Sequence, residues 1–169
     1  SSYHIQQKPM RTAAVFIVLL FCLQAGMGFV SAITPETITV DGDVSEWSTD
    51  TELATDSHGV SLHVTWDANN FYVAWTGTDW ASTTDGADLF VYFNTSESGS
   101  VLSRDWNFAH TLPFAADYGF ALEDSSYNQY FSYDGTSWAD QGTLTSSELY
   151  AGWTDNPTTE MAIPWTAIG

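Results

Sequence analysis

The chain of 169 residues carries 3 Lys+Arg against 21 Asp+Glu, a formal net charge of −18, with 44% hydrophobic and 15% aromatic residues. That length suffices for one domain with a real core, and the apolar content argues against a disordered acidic tail. Charge of this sign repels phosphate backbones and anionic lipid head groups, which disfavours binding to nucleic acid or membrane surfaces.

Taken in chain order, Met10-Arg11, with Lys8 just before, opens a short positive region. Ala13–Leu23 is an unbroken apolar run, and Val30-Ser31-Ala32 offers the small residues that a signal peptidase reads. The expectation is an N-terminal signal helix within residues 1–32, with a true start at Met10, Ser1–Pro9 as upstream sequence and cleavage after Ala32. The run is short for a membrane span, and an uncleaved anchor is the competing reading. The mature domain, residues 33–169, is then secreted or held at the cell surface, with no membrane insertion of its own. It retains one base, Arg104, against all 21 acidic residues, a balance suited to saline surroundings where salt screens self-repulsion. The single cysteine, Cys22, lies in the apolar run, so the domain has no disulfide and relies on packing, with bound cations as a further source of stability.

Thr37–Val40 alternates as a short strand, and Asp41-Gly42-Asp43 breaks it with a turn that folds Val44 and Trp47 back onto a core. Gly59–Trp66 places Val60, Leu62, Val64 and Trp66 on one face. Asp67–Asn70 turns, and Phe71–Thr76 returns with Phe71, Val73 and Trp75 on one side, a hairpin. Asp88–Phe93 is apolar on both faces, as a central strand should be. Polar loops are predicted over Gly77–Ala87 and Asn94–Arg104, the latter carrying the glycosylation-type triplet Asn94-Thr95-Ser96. Tyr118–Leu122, Tyr127–Tyr133, Leu149–Trp153 and Glu160–Ile163 read as further strands, with turns at Asp134-Gly135 and Asp155–Pro157. The fold class expected is all-β, an antiparallel two-sheet β-sandwich. Ile163–Gly169 leaves Trp165 and Ile168 without obvious cover, which predicts a sandwich incomplete at its C-terminus.

Val40–Trp47 (VDGDVSEW) resembles the opening signature of family 9 carbohydrate-binding modules and related DOMON-like sandwiches. His63–Asp79, Asp85–Asn94 and Glu160–Gly169 are similar to later segments of the same superfamily, in the same order. The resemblance implies a jelly-roll or DOMON-like sandwich whose members include sugar-binding modules, haem-binding cytochrome domains and modules of unknown partner.

Of 8 tryptophans, Trp47, Trp66, Trp75 and Trp165 fall in strand or signature segments and are expected in the core. Trp80, Trp106 and Trp138 fall in predicted loops. There an exposed indole can stack on the apolar face of a sugar ring, unless the loops bury the rings locally. Ser103–His110 is the densest polar-aromatic cluster: Arg104 can grip paired hydroxyls or a carboxylated sugar, and Asn107 and His110 add directional hydrogen bonds. The candidate ligand-binding set is therefore Trp106, Arg104, Trp80, Trp138, Asn107 and His110, the competing reading for Arg104 being an ion pair with a surface carboxylate. Asp41, Asp43 and Glu46 place three hard oxygen donors within one turn and could hold calcium, with Asp85 and Asp88 a looser group; turn capping is the competing reading. The resemblance brings haem into view through His58, His63, His110 and Met161. No GxSxG, HExxH or phosphate loop is present, and no carboxylate spacing singles out a catalytic pair. The sequence reading is a non-enzymatic module that binds a polysaccharide or glycan, within a chain whose other domains supply any catalysis. The alternatives are a DOMON-like haem module for electron transfer and a surface structural or adhesion module without a small ligand.

Overall fold

Two aspartate turns show how local chemistry sets the strands in register. Asp67 Oδ1 accepts from the backbone N–H of Asn69 and Asn70 at 2.7 and 2.8 Å, and Asp134 Oδ1 accepts from Thr136 and Ser137 at 2.8 Å each. A backbone bond closes each turn, and Gly135 supplies the positive φ of 95° that the second requires. The computed structural model describes residues 32–55, 59–77, 89–95, 98–104, 109–124, 127–152 and 156–169. Among these, every strand pairing is antiparallel.

The strands are β1 (Glu52–Thr55), β2 (Ser61–Trp66), β3 (Asn70–Thr76), β4 (Leu89–Phe93), β5 (Ser100–Leu102), β6 (Thr111–Ala116), β7 (Tyr118–Asp124), β8 (Tyr127–Tyr133), β9 (Trp138–Gly142), β10 (Leu149–Tyr150) and β11 (Thr158–Pro164). They form a five-stranded sheet in the order β1-β2-β3-β11-β10, a four-stranded sheet β4-β7-β8-β9 and a β5-β6 pair. The predicted hairpin is present with its faces as read. Leu62 pairs with Trp75, Val64 with Val73 and Trp66 with Phe71.

These apolar rows, joined by Met161 and Ile163 of β11, form the inner face of the five-stranded sheet. Phe71 meets Phe93 of the other sheet edge-on at 5.6 Å, Phe93 meets Phe120 at 6.0 Å, and Phe120 stacks on Tyr130 at 5.7 Å. Aromatic edges set against faces at these separations add to what burial alone supplies. The two sheets thus face one another through aromatics, an arrangement compatible with a β-sandwich.

Several expectations are corrected. Thr37–Val40 joins no sheet, because the segment lies across a sheet face rather than along an edge. Ile38 is buried against Tyr72, Ala74 and Ala162, while Thr39 N–H donates to Glu46 Oε1 at 2.6 Å instead of to a ladder. Trp138, read as a loop residue, opens β9. The stretch read as polar loop at Asn94–Arg104 contains β5. Trp165 and Ile168 do have cover: Ile168 is buried, and Trp165 packs on Phe71 at 5.9 Å while its indole N–H donates to Asp67 O at 3.0 Å.

Candidate functional site

The four-stranded sheet has a second, outward face, and its composition follows from the strict alternation of side chains along each strand. Phe90 and Tyr92 of β4 lie in one row set with Gly119 and Ala121 of β7, Gln129, Phe131 and Tyr133 of β8, and Trp138 and Asp140 of β9. Gly119 is required by its neighbour. A Cβ at that position would lie 2.3 Å from Phe131 Cε2, so the missing side chain is the space that the phenyl ring fills.

Around Phe131, itself 0% exposed, Trp138 stands at 5.3 Å and Tyr92 at 5.9 Å, and Tyr133 stands 5.3 Å from Trp138. Tyr92, Tyr133 and Trp138 are partly exposed. Regular strands hold these rings, so their spacing is fixed by the pleat rather than by a loop. The Trp138 indole N–H donates to Leu102 O at 3.0 Å, and the Tyr92 hydroxyl donates to Arg104 O at 2.9 Å. These two bonds bring the chain after β5 over the face.

Arg104 then reaches over the ring, with Cζ 4.9 Å from the Phe131 centroid. It donates from one terminal nitrogen to Gln129 Oε1, and Gln129 Nε2 in turn donates to Asp140 Oδ2. The carboxylate of Asp140 therefore acts on the guanidinium through an amide, polarising the bond without touching the cation. Among the described residues no carboxylate forms an ion pair with Arg104.

The structure thus brings together Arg104 and Trp138 from the six ligand-binding candidates, across a residue the sequence reading did not single out, Phe131. His110 is exposed beside them in the chain: its N–H donates to Ser103 Oγ at 2.7 Å, and Ser103 N–H donates to His110 O at 2.9 Å. Trp80, Trp106 and Asn107 lie outside the described residues. Tyr92, Gln129, Tyr133 and Asp140 were missed because each looks like an ordinary strand or turn residue. Their common face exists only once the register of β4, β8 and β9 is known.

The acidic turn behaves differently from a metal centre. Asp41 Oδ1 accepts from Asp43 N–H at 2.9 Å, Asp43 Oδ1 accepts from Ser45 N–H at 2.9 Å, and Glu46 is committed to Thr39. Hydrogen bonds from Ser45 hold the Asp43 carboxyl below the usual range. Among the described residues no three of His, Cys, Asp and Glu lie together as a metal site, and these carboxylates cap turns. Asp85 and Asp88 lie outside the described residues. For haem, His63 and Met161 are on opposite faces of one sheet: His63 is in the row of Ala74 and Glu160, whereas Met161 pairs with Val73 and is 1% exposed in the core. The two cannot share an iron. His58 lies outside the described residues.

One charged residue was not anticipated. Glu160, on the face of β11 opposite to Met161, is 0% exposed and accepts three hydrogen bonds from the N-terminal segment. Asp41 and Gly42 N–H donate to Oε2 at 2.9 and 2.6 Å, and the Trp47 indole donates to Oε1 at 2.8 Å. Burial pushes its carboxyl above the ordinary value, against the pull of those donors. No family model, curated protein or solved structure matches this chain.

Proposed function

We propose that the domain is a non-catalytic carbohydrate-binding module, exported and working outside the cell, whose ligand rests on the outward face of the four-stranded sheet. The observation that carries this reading is the meeting of Trp138, Tyr92 and Tyr133 with Arg104 around one buried phenylalanine. Rings held by regular strands offer apolar planes to a sugar's C–H face, and Arg104, Gln129 and Asp140 offer donors and acceptors to its hydroxyls. The jelly-roll or DOMON-like resemblance of the sequence and its signal-type N-terminus point the same way. Among the described residues no helix is long and apolar enough to cross a membrane.

The test is binding of the purified chain to a glycan array, followed by titration of the best ligand into Trp138→Ala and Arg104→Gln. Trp138→Ala is expected to lose binding and Arg104→Gln to weaken it, both keeping the parent's far-ultraviolet circular dichroism. Binding that survives in folded Trp138→Ala removes this face as the site.

A further inference from the structure

Arg104 is the one base after the hydrophobic run, among 21 acidic residues, and it is half-buried. Carboxylates are therefore abundant, and a guanidinium ordinarily collects one. Here, among the described residues, it has none. Its neighbours are the face of Phe131 and the carbonyl oxygen of a neutral amide, Gln129. The nearest acid in this arrangement, Asp140, is held one amide away by its bond to Gln129. Only one of the guanidinium N–H donors has a partner among the described residues, although the planar fork is built to meet two oxygens side by side.

We infer that Arg104 is the recognition point for a single carboxylate on an otherwise neutral glycan, a uronic acid or similar acidic sugar, whose ring stacks beside it on Trp138. This rests on the reading of the outward face as a glycan site and names the ligand class within it. The aromatic seat holds the cation in place before the ligand arrives, and Gln129 fixes its orientation, so little side-chain freedom is lost on binding. The count of carboxylates on the ligand follows from the field of the domain. With one base against so many acids, a polyuronide would bring charges that only Arg104 could meet, and every further carboxylate would be repelled. One acidic sugar is matched; a chain of them is not.

The experiment titrates the purified chain with three probes: a neutral oligosaccharide ending in one uronic acid, its methyl ester, and a polyuronide. The acid is expected to bind about tenfold or more tightly than the ester, the range for a charge-assisted bidentate contact. Arg104→Gln should abolish that preference while retaining binding of the ester through Trp138, and Arg104→Lys should restore only part of it, since the charge returns without the fork. The preference should also shrink as salt is raised. Equal binding of acid and ester overturns this inference and leaves the glycan site standing. Stronger binding of the polyuronide than of the single acid overturns the one-carboxylate assignment. Failure of all three probes together with every neutral glycan overturns both readings.

Discussion

Replacing Glu160 by Gln tests whether a buried carboxylate acts as the clamp that fastens the N-terminal segment to the five-stranded sheet. Its three partners, Asp41 N–H, Gly42 N–H and the Trp47 indole N–H, are all donors, and a carboxylate is acceptor-only. Gln keeps one oxygen and turns an NH₂ group toward donors, so at least one bond is lost and a donor meets a donor. A hydrogen bond to a charged group contributes about 1.5–3 kcal/mol, and relief of the buried charge returns part of that loss. The net expectation is a loss of about 2 kcal/mol, or a melting temperature lower by roughly 5–8 °C for a domain of this size. Thermal and urea unfolding followed by circular dichroism measures it. The pH dependence adds a second check. Burial raises the native carboxyl above its ordinary 4.5, so the native state takes up this proton before the unfolded chain does. The pH-dependent part of Glu160's contribution is then fully present below 4.5 and lost as pH rises through the raised native value, leaving at pH 7 only what the hydrogen bonds of the ionised carboxylate supply, so the gap between wild type and Glu160→Gln widens on acidification. A variant as stable as the wild type at pH 7 would refute the clamp, because it would mean that desolvation cancels all three bonds.

Gly42→Ala attacks the same junction from the other side. Gly42 has φ of 85°, and a Cβ there would lie 2.4 Å from the Tyr150 ring, so a loss of at least about 2 kcal/mol is expected in the same unfolding assay. Gly119→Ala should cost about 1–3 kcal/mol by driving Phe131 from its seat, whereas Gly135→Ala, with open space around it and only φ strain, should cost about 1 kcal/mol. Equal melting temperatures for that pair would contradict the packing at Gly119. His63, beneath Trp47 at 6.1 Å, has its pKa lowered from 6.5 by burial, against the field of Glu52. The unfolded chain binds that proton first, so stability present above pH 6.5 falls as pH drops toward the native value, and His63→Asn flattens this part of the profile.

The strands that the alternation revealed are the ones with a buried face. β8 matches its predicted span, Tyr127–Tyr133, β2 and β3 differ from theirs by a residue or two at the start, and β4 agrees with its span over the described residues. Of the strands that went unread, β1 is Glu-Leu-Ala-Thr on a sheet edge, β9 has Asp140, Gln141 and Gly142 all exposed, and Val101 and Leu102 of β5 are both open to solvent, while β6 does alternate over Thr111–Phe114 but carries Pro113, which breaks a strand pattern. Edge strands are kept polar or short to discourage further pairing, which erases the very pattern by which a strand is recognised. Thr37–Val40 misled in the opposite sense. It has the alternation because one side packs, but what it packs on is a sheet's face. In the site, Arg104 and Trp138 were readable as chemistry-bearing residue types. Phe131 and Gln129, which seat and orient the guanidinium, depend on cross-strand register and on Gly119, none of which a local window contains.

The clamp also sets an order of events for the nascent chain. Trp47 and Glu160 are 113 residues apart, and β3 finds its second neighbour, β11, only at the same distant stretch. Until that stretch has been synthesised, the β2–β3 hairpin presents Phe71, Val73 and Trp75 with one flank unpaired and the layer of Ile38, Val40 and Val44 unfastened. Closing contacts of such sequence separation is slow, because the loop entropy is spent before any contact repays it. A ribosome-bound chain ending before Glu160 therefore keeps that apolar edge open to proteases and to other chains.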